Sequence, residues 1–135
     1  FFLSAANNNA ARTYTFPLTM VPASDATVPA LLKGYDQQTH WCFFPANTYL
    51  LPSILGKKRG TTLMLATFYW NEPTGRVWSD YSIFIFDENQ RLVTSFIADA
   101  IYNGRSFIRF RFDIPNPGSL YYVALGLAER IAPSI

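Results

Sequence analysis

The spacing of prolines constrains this fold more than any other feature of the sequence. The chain contains nine prolines in 135 residues, and an interior proline breaks an α-helix because it lacks an N–H and clashes with the preceding turn. The intervals between them are rich in Val, Ile, Thr, Phe and Tyr and are bounded by Gly, Pro, Asn and Asp. That pattern is typical of strands joined by turns. The sequence therefore predicts an all-β fold.

An alternating segment near the N-terminus predicts an edge strand. In residues 14–20 the side chains alternate with the period of two that places each kind on one face of a sheet. Pro17 removes a backbone donor, which confines such a strand to a sheet edge. Residues 1–12, which include three consecutive asparagines, are predicted to form a tail before a single domain over residues 13–135. The larger apolar residues of the alternating segment are Tyr14, Phe16, Leu18 and Met20.

The remaining β-prone segments complete a sandwich of about seven or eight strands. Residues 61–70 are almost continuously β-prone, which predicts a central strand buried on both faces. Residues 87–90 (DENQ) are typical of a tight hairpin turn. The fold class predicted is thus an antiparallel, jelly-roll-like β-sandwich. In residues 106–112, Ile108, Phe110 and Phe112 are predicted to face one way and Arg109 and Arg111 the other. The predicted strands are residues 14–20, 39–51 with a break at Pro45, 61–70, 81–86, 91–98, 106–112 and 120–127.

The charge content and the apolar segments of the chain indicate which partners and which location to expect. Charged residues make up only 15% of the chain, against about 25% in an average soluble domain, so extensive contacts with partners are expected. The net charge of +2 with scattered basic residues argues against nucleic acid. No apolar run reaches the roughly 20 residues of a membrane helix. The apolar start, with small residues Ser4, Ala5 and Ala6, has the form of the end of a signal peptide or of a mature N-terminus, and both readings predict a secreted, extracellular protein.

Three motifs within residues 60–127 resemble a known family. Residues 62–73 (TLMLATFYWNEP) form a β-prone run that ends in Trp and an Asn/Pro loop. Residues 80–93 (DYSIFIFDENQRLV) have the form of an Asp, a strand, an acidic turn and Leu-Val, and residues 117–123 (PGSLYYV) resemble a closing strand. Together they resemble the jelly-roll β-sandwich found C-terminal to secreted subtilisin-like proteases, the pre-peptidase C-terminal and P-like domains. The resemblance implies an accessory domain of a secreted hydrolase.

The same resemblance implies a calcium site, because in that family an acidic pair can hold Ca²⁺. The matching positions here supply Asp80 and Asp87 as candidate ligands, while Ser82 stands where the family often has a second acidic residue. Calcium requires six or more oxygen ligands. Loop carbonyls near Glu72 are the other candidates for that shell.

No complete catalytic constellation is visible in the sequence. His40 is the only histidine and Cys42 the only cysteine; residues two apart on a strand lie nearly 7 Å from each other, which is too far for a dyad. Zinc would need further His or Cys ligands. We therefore predict a protein that is not an enzyme. A sugar-binding aromatic platform is the alternative use of Trp41, Trp70, Trp78, Tyr81 and Tyr102.

The function predicted first is that of an extracellular structural subunit that forms filaments or shells with copies of itself. An N-terminal strand donated to a neighbour's open sheet edge would satisfy exposed backbone groups and bury apolar side chains. Pairing of this strand within its own sandwich is the alternative reading, and a viral jelly-roll capsid protein is a further function that fits a sandwich of this size. The predicted assembly residues are Phe1, Phe2, Leu3, Tyr14, Phe16, Leu18 and Met20.

Overall fold

The structure is a computed structural model that describes residues 2–7, 10–15, 19–35, 38–44, 47–57, 61–69, 80–97 and 107–128. Within these ranges the chain forms ten strands and a short 3₁₀ helix at Ala30–Gly34. The strands are β1 (Phe2–Asn7), β2 (Ala10–Thr15), β3 (Thr19–Pro22), β4 (Gln38–Phe43), β5 (Leu51–Ile54), β6 (Leu63–Tyr69), β7 (Asp80–Phe86), β8 (Leu92–Ile97), β9 (Phe107–Asp113) and β10 (Leu120–Ala128).

The strands form two antiparallel sheets, so the predicted all-β antiparallel sandwich is confirmed. The four-stranded sheet has the order β2-β1-β6-β9. The six-stranded sheet has the order β3-β4-β10-β7-β8, and β5 also pairs with β10. β4 and β5 lie one after the other along the same side of β10, because β7 occupies its other side. The extended segment expected over residues 39–51 therefore contributes to two strands, and Pro45, where the break was expected, lies outside the described residues.

The N-terminal segment differs from its prediction. Residues 1–12 were expected to be a tail, yet β1 and β2 form a hairpin whose first strand pairs with β6. Asn7 pairs with Ala10, so only Asn8 and Asn9 separate the two strands in sequence. Two residues are the connection length of a tight hairpin, and asparagine is favoured in such turns. The asparagine-rich stretch thus connects two strands of one sheet and does not link a tail to a domain.

The single strand predicted over residues 14–20 is also wrong. β2 ends at Thr15 in the four-stranded sheet, and β3 begins at Thr19 in the six-stranded sheet. Residues 16–18 lie outside the described residues. Pro17 in this interval cannot donate to a ladder, which explains why the chain leaves one sheet before it and joins the other after it.

The main hydrophobic core lies between the two sheets. On β9 the alternate residues Ile108, Phe110 and Phe112 point into this core, and all three are buried. The predicted alternation of this segment is confirmed, since Arg109 and Arg111 are exposed on the opposite face. Phe110 stacks on Phe96 of β8 with ring centroids 4.5 Å apart, so the two sheets meet at this end of the sandwich. Burial of such side chains stabilises the fold by about 1.5–3 kcal/mol each.

A second hydrophobic cluster covers the outer face of the six-stranded sheet. Phe84 and Phe86 of β7, with Trp41 of β4, pack there against the segment 23–35 and its 3₁₀ helix, whose Leu32 is fully buried. Because the inward residues of β7 also lie in the inter-sheet core, this strand is buried on both faces.

The strand that was expected to be buried on both faces, residues 61–70, is covered on one face only. In β6, Ala66 and Phe68 point into the core, whereas Leu65 is 49% and Tyr69 is 39% exposed. A continuous β-prone run shows that a strand forms but not which faces other elements cover. The segment 23–35 covers the outer face of the six-stranded sheet and not that of the sheet that contains β6.

Candidate assembly surfaces

The only cysteine and the only histidine of the chain lie in different surroundings. The Cys42 thiol is buried in the inter-sheet core, and this burial raises its pKa to about 12. Burial therefore disfavours the thiolate, which is the nucleophilic form of cysteine. His40 is half-buried, and its Nδ1 lies 3.0 Å from the hydroxyl of Thr39.

The predicted calcium pair is not brought together. Asp80 begins β7 and Asp87 follows its last residue, so roughly 20 Å of extended strand separates them and they cannot share one ion. The Asp87 carboxylate instead accepts hydrogen bonds from the backbone N–H groups of Asn89 and Arg91, at 2.9 and 3.0 Å. It stabilises the predicted β7–β8 hairpin turn, which the strand register confirms. The described part of the chain contains no group of three or more metal-ligating side chains.

The aromatic platform does not assemble from its described members. Trp41 is 1% exposed and packs in the outer cluster against Phe84, at a ring-centroid distance of 5.3 Å. Tyr81 packs from the opposite side of the same sheet against Phe68, at 5.6 Å. Two rings on opposite faces of a sheet cannot stack on one sugar. The other proposed members, Trp70, Trp78 and Tyr102, lie outside the described residues.

The predicted assembly residues are distributed over three strands. Phe2 and Leu3 lie in β1, Tyr14 lies in β2, and Met20 lies in β3 of the other sheet. Met20 packs against the inter-sheet core. These residues therefore do not form one donor strand, and all three strands pair within the chain. The remaining predicted members, Phe1, Phe16 and Leu18, lie outside the described residues.

The N-terminal hairpin supplies half of the four-stranded sheet. β1 lies between β2 and β6, and its register on β6 runs from Phe2 opposite Tyr69 to Ala6 opposite Leu65. The ladder between β1 and β6 is continuous, with no register shift between these two pairs. The hairpin is thus a two-strand unit joined to the rest of the sheet along one side of β6.

The outer face of the four-stranded sheet carries exposed apolar and charged side chains. Leu65 and Tyr69 of β6 lie beside Arg109 and Arg111 of β9, with Leu65 directly opposite Arg111. The Arg111 guanidinium donates a hydrogen bond to the Asp113 carboxylate at 3.3 Å. The sequence alternation pointed to Arg109 and Arg111, but it did not single out Leu65 or Asp113. Only the strand register places Leu65 beside the arginines, whereas Asp113 shares their face because it lies two residues after Arg111 on the same strand.

The space between the sheets includes a cavity of about 50 Å³. Its lining is apolar except for the Ser53 hydroxyl, with Ala66 and Val123 among the smaller side chains. An apolar cavity that holds benzene measures about 150 Å³, so this one is too small for an organic ligand. It is a packing defect of the core.

Comparison with known protein families, with curated proteins and with solved structures finds no match to this chain. The resemblance to protease-associated sandwich domains therefore stays a prediction. Among the described residues, no helix is long and apolar enough to span a membrane.

Proposed function

We propose that this chain is a non-enzymatic, secreted subunit that assembles with copies of itself into filaments or shells by exchanging its N-terminal hairpin. The observation that carries the proposal is the position of the hairpin, which provides two of the four strands of one sheet and pairs along a single strand, β6. The unit exchanged is thus a hairpin, not the single strand that the sequence indicated.

Exchange of such a unit between copies has a small energetic penalty. The same register of β1 on β6 forms whether the hairpin comes from its own chain or from a neighbour, so the contacts are conserved. The remaining difference is the entropy of association, which high local concentration reduces. An open chain of exchanges then propagates a filament, and a closed one gives a ring or shell.

The strand β6 also gives a reason for the exchange. Without a neighbour on that side, β6 would present unpaired backbone groups next to core residues Ala66 and Phe68, which are buried in the sandwich. Sheet edges of this kind recruit another strand. A displaced hairpin therefore leaves a site that only an equivalent hairpin fills in the same register.

Directed disulfides test the exchange. Ser4 and Thr67 are Cα partners across β1 and β6, a geometry that suits a disulfide. Equal amounts of S4C and T67C chains are mixed during refolding, oxidised and separated under non-reducing conditions. We expect a mixed S4C–T67C dimer. Cys42 does not compete because it is buried and its pKa is raised to about 12.

The matched control replaces T67C with S95C, an exposed serine on β8 of the other sheet. No mixed disulfide is expected with S4C. If the S4C/T67C double variant gives only internally crosslinked monomer and the mixture gives no dimer, hairpin exchange is wrong. The accessory-domain prediction would then be the better account.

A further inference from the structure

The edge strands of the two sheets differ in how well they are protected against pairing with another chain. In the six-stranded sheet, β3 has only four residues and ends at Pro22, and β8 has a register shift opposite Ile85 and Phe86. Short strands, prolines and bulges are the usual protection of a sheet edge. Both edges of that sheet are therefore poor partners for a second chain.

β9 is neither short nor interrupted by a proline or a bulge, and the protection that it carries is its charged side chains, Arg109, Arg111 and Asp113. It has seven residues without proline or glycine, its register on β6 is continuous, and within the described residues it pairs with β6 alone. The ladder continues past the strand, since the Ile114 N–H donates to the Thr62 carbonyl at 2.7 Å. A long, regular edge of this kind is a template for strand addition.

The geometry points to a second copy of this chain as the occupant of the β9 edge, through an antiparallel β9–β9 pairing about a two-fold axis. Directly opposed residues of two strands must lie on the same face of the joined sheet. The two-fold axis therefore lies between one residue of β9 and the same residue of the second copy. Side chains on the outer face of one copy then lie opposite outer-face side chains of the other.

The charges on β9 select among these registers. An axis at Phe110 would place Arg109 opposite the partner's Arg111 twice, and an axis at Arg111 would place that side chain opposite itself. An axis at Phe112 places Arg111 of each copy opposite Asp113 of the other and opposes no like charges. Directly opposed unlike charges stabilise a strand pair, whereas like charges destabilise it.

The register centred on Phe112 uses residues 110–114, the C-terminal part of the edge, because Arg109 would lie opposite Pro115 of the other copy. Arg111 and Asp113 are exposed on one face, with side chains 66% and 77% accessible, and already lie 3.3 Å apart. The two-fold axis would bring two such pairs together as four alternating charges. On the other face, Phe110 of one copy meets Ile114 of its partner, and both are buried residues of the inter-sheet core. The two cores would thus adjoin across the interface.

This inference extends the proposed assembly but does not depend on hairpin exchange, because it uses the opposite edge of the same sheet. Charge reversal tests it. We expect the wild-type chain to dimerise in sedimentation equilibrium, and Arg111→Asp or Asp113→Arg to weaken dimerisation at least about tenfold, since each turns two attractive pairs into repulsive ones. The double variant R111D/D113R restores the attraction and should restore the dimer.

The matched control is the substitution Arg91→Asp, which changes the net charge by the same amount as Arg111→Asp at an exposed position outside the four-stranded sheet. This variant should dimerise as the wild type does.

A disulfide test checks the register. A mixture of R111C and D113C should form a mixed disulfide, whereas R111C alone should not. A wild-type chain that stays monomeric at every concentration, or a dimer that both single reversals leave intact, would overturn the pairing. The crosslink between Ser4 and Thr67 tests hairpin exchange, whereas charge reversal tests the β9–β9 pairing. Either proposal can therefore be refuted without the other.

Discussion

The outer faces of the two sheets are built differently. The six-stranded sheet is covered by its own chain, where segment 23–35 and the fully buried Leu32 pack over Trp41, Phe84 and Phe86. The four-stranded sheet leaves Leu65 and other side chains of its outer face exposed and obtains half of its strands from the N-terminal hairpin. The comparison teaches that the outer face of one sheet is covered by a segment of the same chain, whereas that of the other keeps apolar side chains exposed.

The largest expected effect contrasts one aromatic residue from each outer face. Trp41→Ala removes a ring that is 1% exposed and leaves a cavity, whereas Tyr69 is 39% exposed. We expect Trp41→Ala to lower the free energy of unfolding by about 3–5 kcal/mol and Tyr69→Ala by about 1 kcal/mol or less. Denaturant unfolding of the monomer measures both. Equal losses would show that the two outer faces are equally covered.

A glycine under the covered face sharpens the comparison. A Cβ at Gly126 would lie 2.5 Å from Gln38 Oε1 and 3.0 Å from Trp41 Cζ3, whereas one at Gly34 would meet nothing within 4 Å. Gly126→Ala should therefore lower the free energy of unfolding by about 1–3 kcal/mol, and the matched Gly34→Ala should be nearly neutral. Gln38→Ser in the Gly126→Ala background should recover part of the loss by making room. Thermal unfolding of these variants would refute the close packing if Gly126→Ala were neutral.

The buried Cys42 of the inter-sheet core should make the free energy of unfolding depend on pH in alkaline solution. Burial raises the pKa of the Cys42 thiol from 9.0 to about 12. Between pH 9 and about 12 the thiol of the unfolded chain ionises while that of the folded chain stays protonated. The free energy of unfolding therefore keeps its full value below pH 9 and decreases as the pH rises towards 12. One pH unit above the ordinary value the loss is roughly 1 kcal/mol. Comparing Cys42→Ala with the wild type across this range isolates it, and parallel curves would contradict it.

The smallest expected effect concerns the turn that begins the covering segment. The Asp25 carboxylate accepts hydrogen bonds from the Thr27 hydroxyl and backbone N–H, at 2.6 and 2.8 Å, which lower its pKa below 3.8. Stability from this group is therefore present above the ordinary pKa and is lost as the pH falls through the lowered one. NMR titration should give an Asp25 pKa below that of an unstructured aspartate, and Thr27→Val should move it upward. An unchanged pKa in Thr27→Val would refute the assignment.

Several local features could be predicted from the sequence because their causes are local. The turn at residues 87–90 forms where expected, with Gln90 at a φ of 60° and Asp87 accepting backbone N–H groups. The alternation of residues 106–112 gave the correct inward and outward faces of β9. Both depend on neighbouring residues alone, through turn chemistry and the period of two.

The candidate site was predicted less well. The seven assembly residues were assigned to one donor unit, but the described ones lie in three strands and two sheets. The position of Leu65 on the same face as Arg111 and Asp113 appears only in the register of β9 on β6. Register depends on contacts between residues far apart in the chain, and no local pattern encodes them.

By itself the sequence determined that the chain forms short antiparallel strands, because its prolines exclude long helices and its β-branched and aromatic runs favour pleated structure. The tertiary structure alone decided which faces are covered and where the N-terminal segment pairs. Leu65 lies on an exposed face and Phe86 on a covered one, yet both are apolar residues in β-prone runs. The local sequence pattern does not distinguish them. The difference arises only when a distant segment packs over one sheet and not the other.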